Sequence, residues 1–221
     1  MTRTFARTAL AVAAAACTMC AGGCEIGMFV GMMAESAHEA GSTRIPAEYT
    51  GLNGHSFAVV VDTDRAIRAD HPGVVGRLTE RINADLVENT DATGHIPTTR
   101  LLSVLYNNPQ WRALSRGELG KRLGVDRLVV VDLNEYRLTD IGNRYVWGAF
   151  ASATVEAYEI DTGYADEPVY DKVISVHFPD TDGVLRSRYD ESFVNSALAR
   201  RLANRAAWLF FDHDEPNSIT Y

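Results

Sequence analysis

Leu119-Gly120-Lys121-Arg122-Leu123-Gly124-Val125-Asp126-Arg127-Leu128-Val129-Val130-Val131 takes the chain from helix to strand within thirteen residues. Just before it, Ser115 and Glu118 have capping-box spacing, and Leu114 and Leu119 are placed as a hydrophobic staple. Leu119 and Leu123 give the helix a short buried face, and Gly124 supplies its C-terminal stop. Leu128 to Val131 is apolar at every position, the pattern of a strand covered on both faces. A capped helix that runs straight into a buried strand is the joint of an α/β unit.

Upstream lies a matching strand, Phe57-Ala58-Val59-Val60-Val61, ended by Asp62. The two apolar strands should lie side by side. Pro72 then opens a helix whose Val75, Leu78, Ile82 and Leu86 recur at spacings of three, four and four, one apolar face. A weak strand near Gly94–Pro97 and a short helix from about Thr99 to Tyr106 follow, stopped by Asn107-Asn108-Pro109.

Downstream the period changes to two. Val131, Leu133 and then Tyr136 run out to a turn at Asp140-Ile141-Gly142-Asn143. From Tyr145 to Ile160 the residues alternate. Ala149, Ala151, Ala153, Val155 and Ala157 share one face, and Ser152, Thr154 and Glu156 the other. Val169 to Phe178 returns after Asp161-Thr162-Gly163, completing an antiparallel meander. The small alanine face calls for a helix lying close against it. The last helix, about Asp190 to Phe211, offers a stripe of Val194, Leu198, Leu202, Ala206 and Leu209, with Arg200, Arg201 and Arg205 on its solvated face. The expected fold is mixed α/β (α+β): one mixed sheet with N-terminal strand–helix units, a C-terminal antiparallel meander and a long C-terminal helix packed on it. Val59, Val61, Leu78, Ile82, Val129, Val131, Val155, Leu198 and Leu202 should be buried.

Composition limits the partners. Of 221 residues, 46% are apolar and 23% charged, with 21 Lys and Arg against 29 Asp and Glu, a net charge of −8. An acidic chain without a basic stripe is not expected to bind nucleic acid. All three cysteines, Cys17, Cys20 and Cys24, lie in the first 24 residues, so the rest cannot be held by disulfides or a zinc ribbon.

Those first 24 residues read as a secretory signal: Arg3 and Arg7, an uncharged alanine-rich run from Thr8 to Met19, then Ala21-Gly22-Gly23-Cys24. Small residues directly before a cysteine resemble the lipobox of bacterial lipoproteins. That family's processing implies cleavage before Cys24 and acylation of its thiol and new amino group. Ala14-Ala15-Ala16-Cys17 is a second box, so Cys17 is the alternative site. Residues 25–53 read as a tether with an extended piece near Ile45–Tyr49, 54–215 as the α/β domain and 216–221 as a tail; His213-Asp214-Glu215, which has the groups to bind a cation, reads as a solvated end.

The order of elements, with Leu123-Gly124-Val125-Asp126 leading from helix into strand, is similar to periplasmic α/β domains of the curli-secretion lipoprotein (CsgG-like), of penicillin-binding-protein activator lipoproteins (LpoB-like) and of the TolB amino-terminal domain. In those families Ala is usual where Val125 stands. More closely, the chain looks like an uncharacterised group of bacterial envelope lipoproteins with this layout. The resemblance implies a lipid-anchored, periplasm-facing envelope protein that acts through contacts with other proteins, with self-association one form of this. No pore is expected from the meander, because its strands are well supplied with core residues.

Three constellations bear on chemistry. Val61-Asp62-Thr63-Asp64 resembles the first motif of haloacid-dehalogenase-like phosphatases, in which the first Asp is nucleophile, the second a general acid, and magnesium bridges carboxylate and phosphate. The later acidic pair that family needs has only Asp132 and Glu135 to supply it, at the wrong spacing, so a turn with solvated carboxylates is the expected reading. A magnesium-dependent phosphatase using Asp62 and Asp64 is the alternative to the interaction module. The histidines are scattered without metal-ligand spacing, and no Gly-x-Ser-x-Gly, phosphate loop or dinucleotide fingerprint occurs, so no catalytic residue, cofactor or metal site is expected. Tyr145 and Trp147 next to Tyr158 could make a binding face, but aromatics on a strand read first as core. Trp111 and Arg112, in a loop, are the expected interaction residues.

Overall fold

The computed structural model describes residues 41–143, 145–217 and 219. The segment read as a signal, with Cys17 and Cys24, and the reading of a tether as far as Ala40 fall outside the described residues. The described residues divide into two compact units, one within 44–213 and the other of 41–43 with 214–217. In the smaller one, Asn217 N–H donates to Gly41 O at 3.0 Å and the Thr43 hydroxyl to Asn217 Oδ1 at 2.7 Å.

The elements in chain order are β1 (Ser42–Ile45), β2 (Ser56–Thr63), α1 (Arg65–Asp70), α2 (Val74–Asn89), β3 (Gly94–His95), α3 (Thr98–Asn107), a 3-10 turn (Pro109–Ala113), α4 (Arg116–Leu123), β4 (Arg127–Arg137), β5 (Ala149–Glu159), β6 (Tyr170–Phe178), α5 (Glu191–Ala207) and β7 (His213–Pro216). Five strands make one mixed sheet in the order β3-β2-β4-β5-β6, and β1 and β7 make a separate two-stranded sheet. β2 is parallel to both β3 and β4; β4, β5 and β6 are antiparallel neighbours. The two apolar strands are adjacent as expected, with Val59 opposite Val129 and Val61 opposite Val131.

A parallel strand buried on both faces needs cover on both, and the chain supplies it unequally. On one side α2 and α5 cover β2, β4, β5 and β6. Val59, Val129, Val131 and Val155 meet Leu78, Ile82, Leu198 and Leu202 there, all at most 3% exposed. The alanine face of β5 lets α5 approach through its own Ala199, Ala203 and Ala206. On the other side α3, the 3-10 turn and α4 cover Ala58, Val60, Leu128 and Val130. β4 carries a bulge between Leu133 and Glu135, which shifts the inward residue from Leu133 to Tyr136.

Several expectations are corrected. Pro72 does not open α2. It sits in the turn between α1 and α2, and α2 starts after Gly73, whose φ of +84° favours glycine. α1 is an extra helix with a single buried residue, Ile67, too short to show a period. The expected tail is instead anchored at its start: His213 is 7% exposed and stacks on Trp208 at 4.6 Å, and β7 pairs with β1. β1 lies at Ser42–Ile45 rather than at Ile45–Tyr49, while Tyr49 packs on Tyr170 and Phe210. Arg201 is not on a solvated face. Its side chain is 13% exposed, lies over the Phe178 ring, and makes a two-pronged pair with Asp180 at 2.6 and 2.7 Å. That pair holds the Asp180 carboxyl below its ordinary range. A depressed carboxyl stabilises the fold above its unfolded pKa and loses that contribution as pH falls through its folded pKa. Arg201→Gln should therefore lower the urea midpoint at pH 7, and its deficit against the parent should shrink in acid below pH ~3.9.

Candidate binding site

The carboxyl ends of β2 and β4 bring the charged residues together. Asp62 lies opposite Asp132 in the parallel register. A parallel pair whose next strands go to opposite sides opens a crevice at its carboxyl end, the usual ligand position of open α/β sheets. Here β2 leads to β3 on one side and β4 leads to β5 on the other.

Asp62 is held by two arginines. Arg112 grips it with Nε at 2.9 and 3.1 Å and with Nη2 at 2.7 Å, and Arg68 Nη2 donates to it at 3.0 Å. Arg68 also donates to Thr63 O at 2.9 Å. The carboxylate is 19% exposed, against 43% and 45% for the arginines. One carboxylate is thus shared by two guanidinium groups. Asp64 is occupied elsewhere: it caps α1 by accepting from Ile67 N–H at 2.8 Å. Asp132 pairs with Arg116 at 3.2 Å. Asp62, Asp64 and Asp132 do line one shallow hollow of about 330 Å³ with Thr63, Leu133 and Asn134. Their carboxylates nevertheless serve arginines and a helix end rather than a common centre. Among the described residues no group of three His, Cys, Asp or Glu side chains could hold a metal ion.

Burial raises the Asp132 carboxyl above its ordinary range, opposed by Arg116 and assisted by Glu156 and Asp62. A raised carboxyl destabilises the fold once ionised and costs nothing when protonated in both states. Asp132→Asn should therefore raise the melting temperature at pH 7. The gain should fade as pH drops towards 3.8, the ordinary value, which a melting series from pH 7 to 3.5 would read.

Beside Asp62 opens a larger, apolar pocket of about 740 Å³. Its floor is Val61. One wall is the start of α2 with Arg68 and His71, and the other is α3 and the 3-10 turn, with Leu102, Leu105, Tyr106, Pro109, Trp111 and Arg112. Burial lowers the His71 imidazole pKa below its ordinary value, so the ring is neutral at pH 7.

The structure separates Trp111 from Arg112. Trp111 is 4% exposed and belongs to the second core with Leu101, Leu105 and Leu119. The expectation of an exposed Trp111 in a loop is corrected: Pro109 starts a 3-10 turn that carries the indole inward. Arg112 is half-exposed, its guanidinium 4.5 Å above that indole. Trp147 and Tyr158 are buried in the two different cores, while Tyr145 is exposed. Arg68, the second arginine on Asp62, was not singled out in the sequence. Its only signal is a position one turn into the helix that Asp64 caps.

No protein-family model matches the sequence, and a search of curated proteins returned no match. Solved structures with a related course include the lipoprotein GNA1162 from Neisseria meningitidis, 14% identical over 67% of this chain and 98% of that one, at a TM-score of 0.44. A PelC dodecamer from Paraburkholderia phytofirmans is 10% identical over 77% of this chain and 98% of that one, at 0.45. The C-terminal domain of LpoB from Salmonella enterica is 13% identical over 58% of this chain and 87% of that one, at 0.37. At such identity and overlap these are neighbours in architecture, and the activity of none of them passes to this chain.

Proposed function

We propose that the chain is a lipid-anchored bacterial envelope protein, facing the periplasm, whose α/β domain works as a non-enzymatic protein-interaction or assembly module. The observation that supports it is the use of the acidic residues. Asp62 and Asp64 would have to act as nucleophile and general acid in the phosphatase alternative. Instead one is clamped by Arg68 and Arg112 and the other caps a helix. A nucleophile held by two guanidiniums is a poor attacking group towards a phosphate, and magnesium would have to displace both cations to reach it.

The anchor rests on the sequence: Arg3 and Arg7, the alanine-rich run and small residues before Cys24. Acyl chains contribute about 0.8 kcal/mol per buried methylene, so a doubly or triply acylated cysteine holds a protein on a bilayer. Cys24→Ser should move the protein from the membrane pellet to the soluble fraction or leave the precursor uncut. Processing and fractionation like the parent would shift the modification to Cys17 or remove it altogether.

The test of the module reading uses the whole protein. Magnesium-dependent hydrolysis of a phosphomonoester, abolished by Asp62→Asn, would overturn it. No turnover, together with crosslinking from intact envelopes to a defined protein or to a second copy, supports it.

A further inference from the structure

We propose that the pocket beside Asp62 is a binding site for an amphiphilic carboxylate, with a medium-chain fatty acid as its ligand: the alkyl chain lies between α2 and α3, and the carboxylate sits at Arg68 and Arg112.

Three observations carry this. The first is shape and lining. A cavity of about 740 Å³ lies within the usual range for small-molecule sites, and Val61, Val74, Val75, Leu102 and Leu105 give it an apolar interior. The second is charge. The polar side chains around it are chiefly Arg68, Arg112 and a neutral His71, and the two arginines share a single carboxylate. Arg112 meets Asp62 through Nε and Nη2, leaving Nη1 for a further acceptor, and Arg68 meets its partners through Nη2 alone. Both guanidiniums are already held in place, Arg112 by Asp62 at its edge and the Trp111 ring under its plane, Arg68 by Asp62 and Thr63 O, so a ligand carboxylate need not order them. The third is position, at the carboxyl end of a central parallel strand, where open α/β sheets bind ligands. The start of α2 adds to this, since Gly73 offers no side-chain cap and the first turn holds no acidic residue that would repel an anion.

The neighbouring charges fit one carboxylate better than a phosphate. Arg68 and Arg112 share the single carboxylate of Asp62, and Asp64 and Asp132 line the adjoining hollow, so the donors left suit one monoanionic head. A dianionic head would crowd Asp62, and a cationic head would meet two guanidiniums.

The inference is independent of the membrane anchor and of any protein partner, so it is tested on the full chain carrying Cys24→Ser, which keeps every pocket residue. Titration calorimetry with decanoate below its micelle concentration should show saturable one-to-one binding. Decanol should bind at least tenfold more weakly and decyltrimethylammonium not at all. Replacing both Arg68 and Arg112 by Gln should cost about tenfold or more, the weight of a charge-assisted hydrogen bond. Gly76→Leu should block the site, since a Cβ on Gly76 meets only Leu102 Cδ1, at an ordinary 3.8 Å, and the added side chain points at the pocket wall. Ser103→Trp, on the exposed rim of α3, is a second block that leaves the core untouched. The proposal is overturned if decanoate shows no saturable binding, if decanol or the cation binds equally well, or if both blocked variants bind like the parent while melting normally. Binding of an apolar peptide with a free carboxyl end, but not of decanoate, would also overturn it and assign the pocket to a protein tail.

Discussion

Arg127→Met should lower the unfolding free energy by about 3 kcal/mol, the largest loss expected from any single charged residue here. Arg127 opens β4 with a side chain only 7% exposed. Its Nε donates to Gly51 O at 3.0 Å, and Nη1 donates to Asp126 O at 2.9 Å and to Asp161 Oδ1 at 2.5 Å. Nη2 meets His55 Nε2 at 3.1 Å. One guanidinium therefore ties the segment before β2, the start of β4 and the turn after β5. Methionine has the length but none of the donors, so the Gly51 carbonyl would lose the Arg127 Nε–H, while Asp126 O would keep only the Ile160 N–H at 2.8 Å. Asp161 is 43% exposed and can be rehydrated, which keeps the loss near 3 kcal/mol and not higher. Arg137→Met is the control. Arg137 pairs with Glu135 and Asp140, both about half-exposed, and should cost less than about 1 kcal/mol. Urea unfolding of the two variants would decide. Equal, small losses would mean that the Arg127 cluster is decoration rather than a tie.

The Arg127 cluster also shows where the sequence could be read and where it could not. The strand it opens was legible, because four consecutive apolar residues after Gly124 have no other economical use. So were the capping box at Ser115 and Glu118, both of whose hydrogen bonds form, and the alanine face of β5. Even the bulge in β4 left a trace, in the step from Leu133 to Tyr136. What stayed hidden depends on contacts between distant parts of the chain. Arg112 and Asp62 are fifty positions apart, and only the placement of the 3-10 turn over the end of β2 joins them. Trp111 follows a Pro in a polar stretch, which reads as exposed, yet its indole completes the second core. β1 and β7 are each four residues long and polar, and strands of that kind are set by their partner rather than by their own pattern. The candidate site was legible only in part. Asp62 and Arg112 were singled out separately, while Arg68 and the pocket walls emerge only from the fold.

Gly120→Leu should cost at least 3 kcal/mol, and Gly120→Ala should also destabilise, although alanine gains about 1 kcal/mol over glycine in a helix interior. α4 crosses the end of β5 with Gly117 and Gly120 on the same face, three residues apart. A Cβ on Gly120 would stand about 2.5 Å from Ile160 Cδ1 and nearer still to Cγ1, and Ile160 is itself buried. A Cβ on Gly117 would stand 2.9 Å from Ala165 Cβ, and the Gly117 N–H donates to Asp166 at 2.7 Å. The close approach of α4 is what brings Leu119 into the second core, so a side chain at Gly120 must either displace Ile160 or lift the helix. Lifting it would expose Leu119 and the edge of Trp111, at about 25 cal/mol per Å² of apolar surface. Gly163 gives the opposite sign. It lies in the turn after β5 with no positive φ and nothing within 4 Å of its Cβ position, so Gly163→Ala should stabilise by about 0.5 kcal/mol through the unfolded chain. Thermal melts of the two alanine variants should therefore move in opposite directions. A Gly120→Ala protein that melts above the parent would show that α4 stands off the sheet far enough to hold a side chain. That spacing would also loosen the support beneath Trp111 and, through its indole, the arginine that faces the pocket.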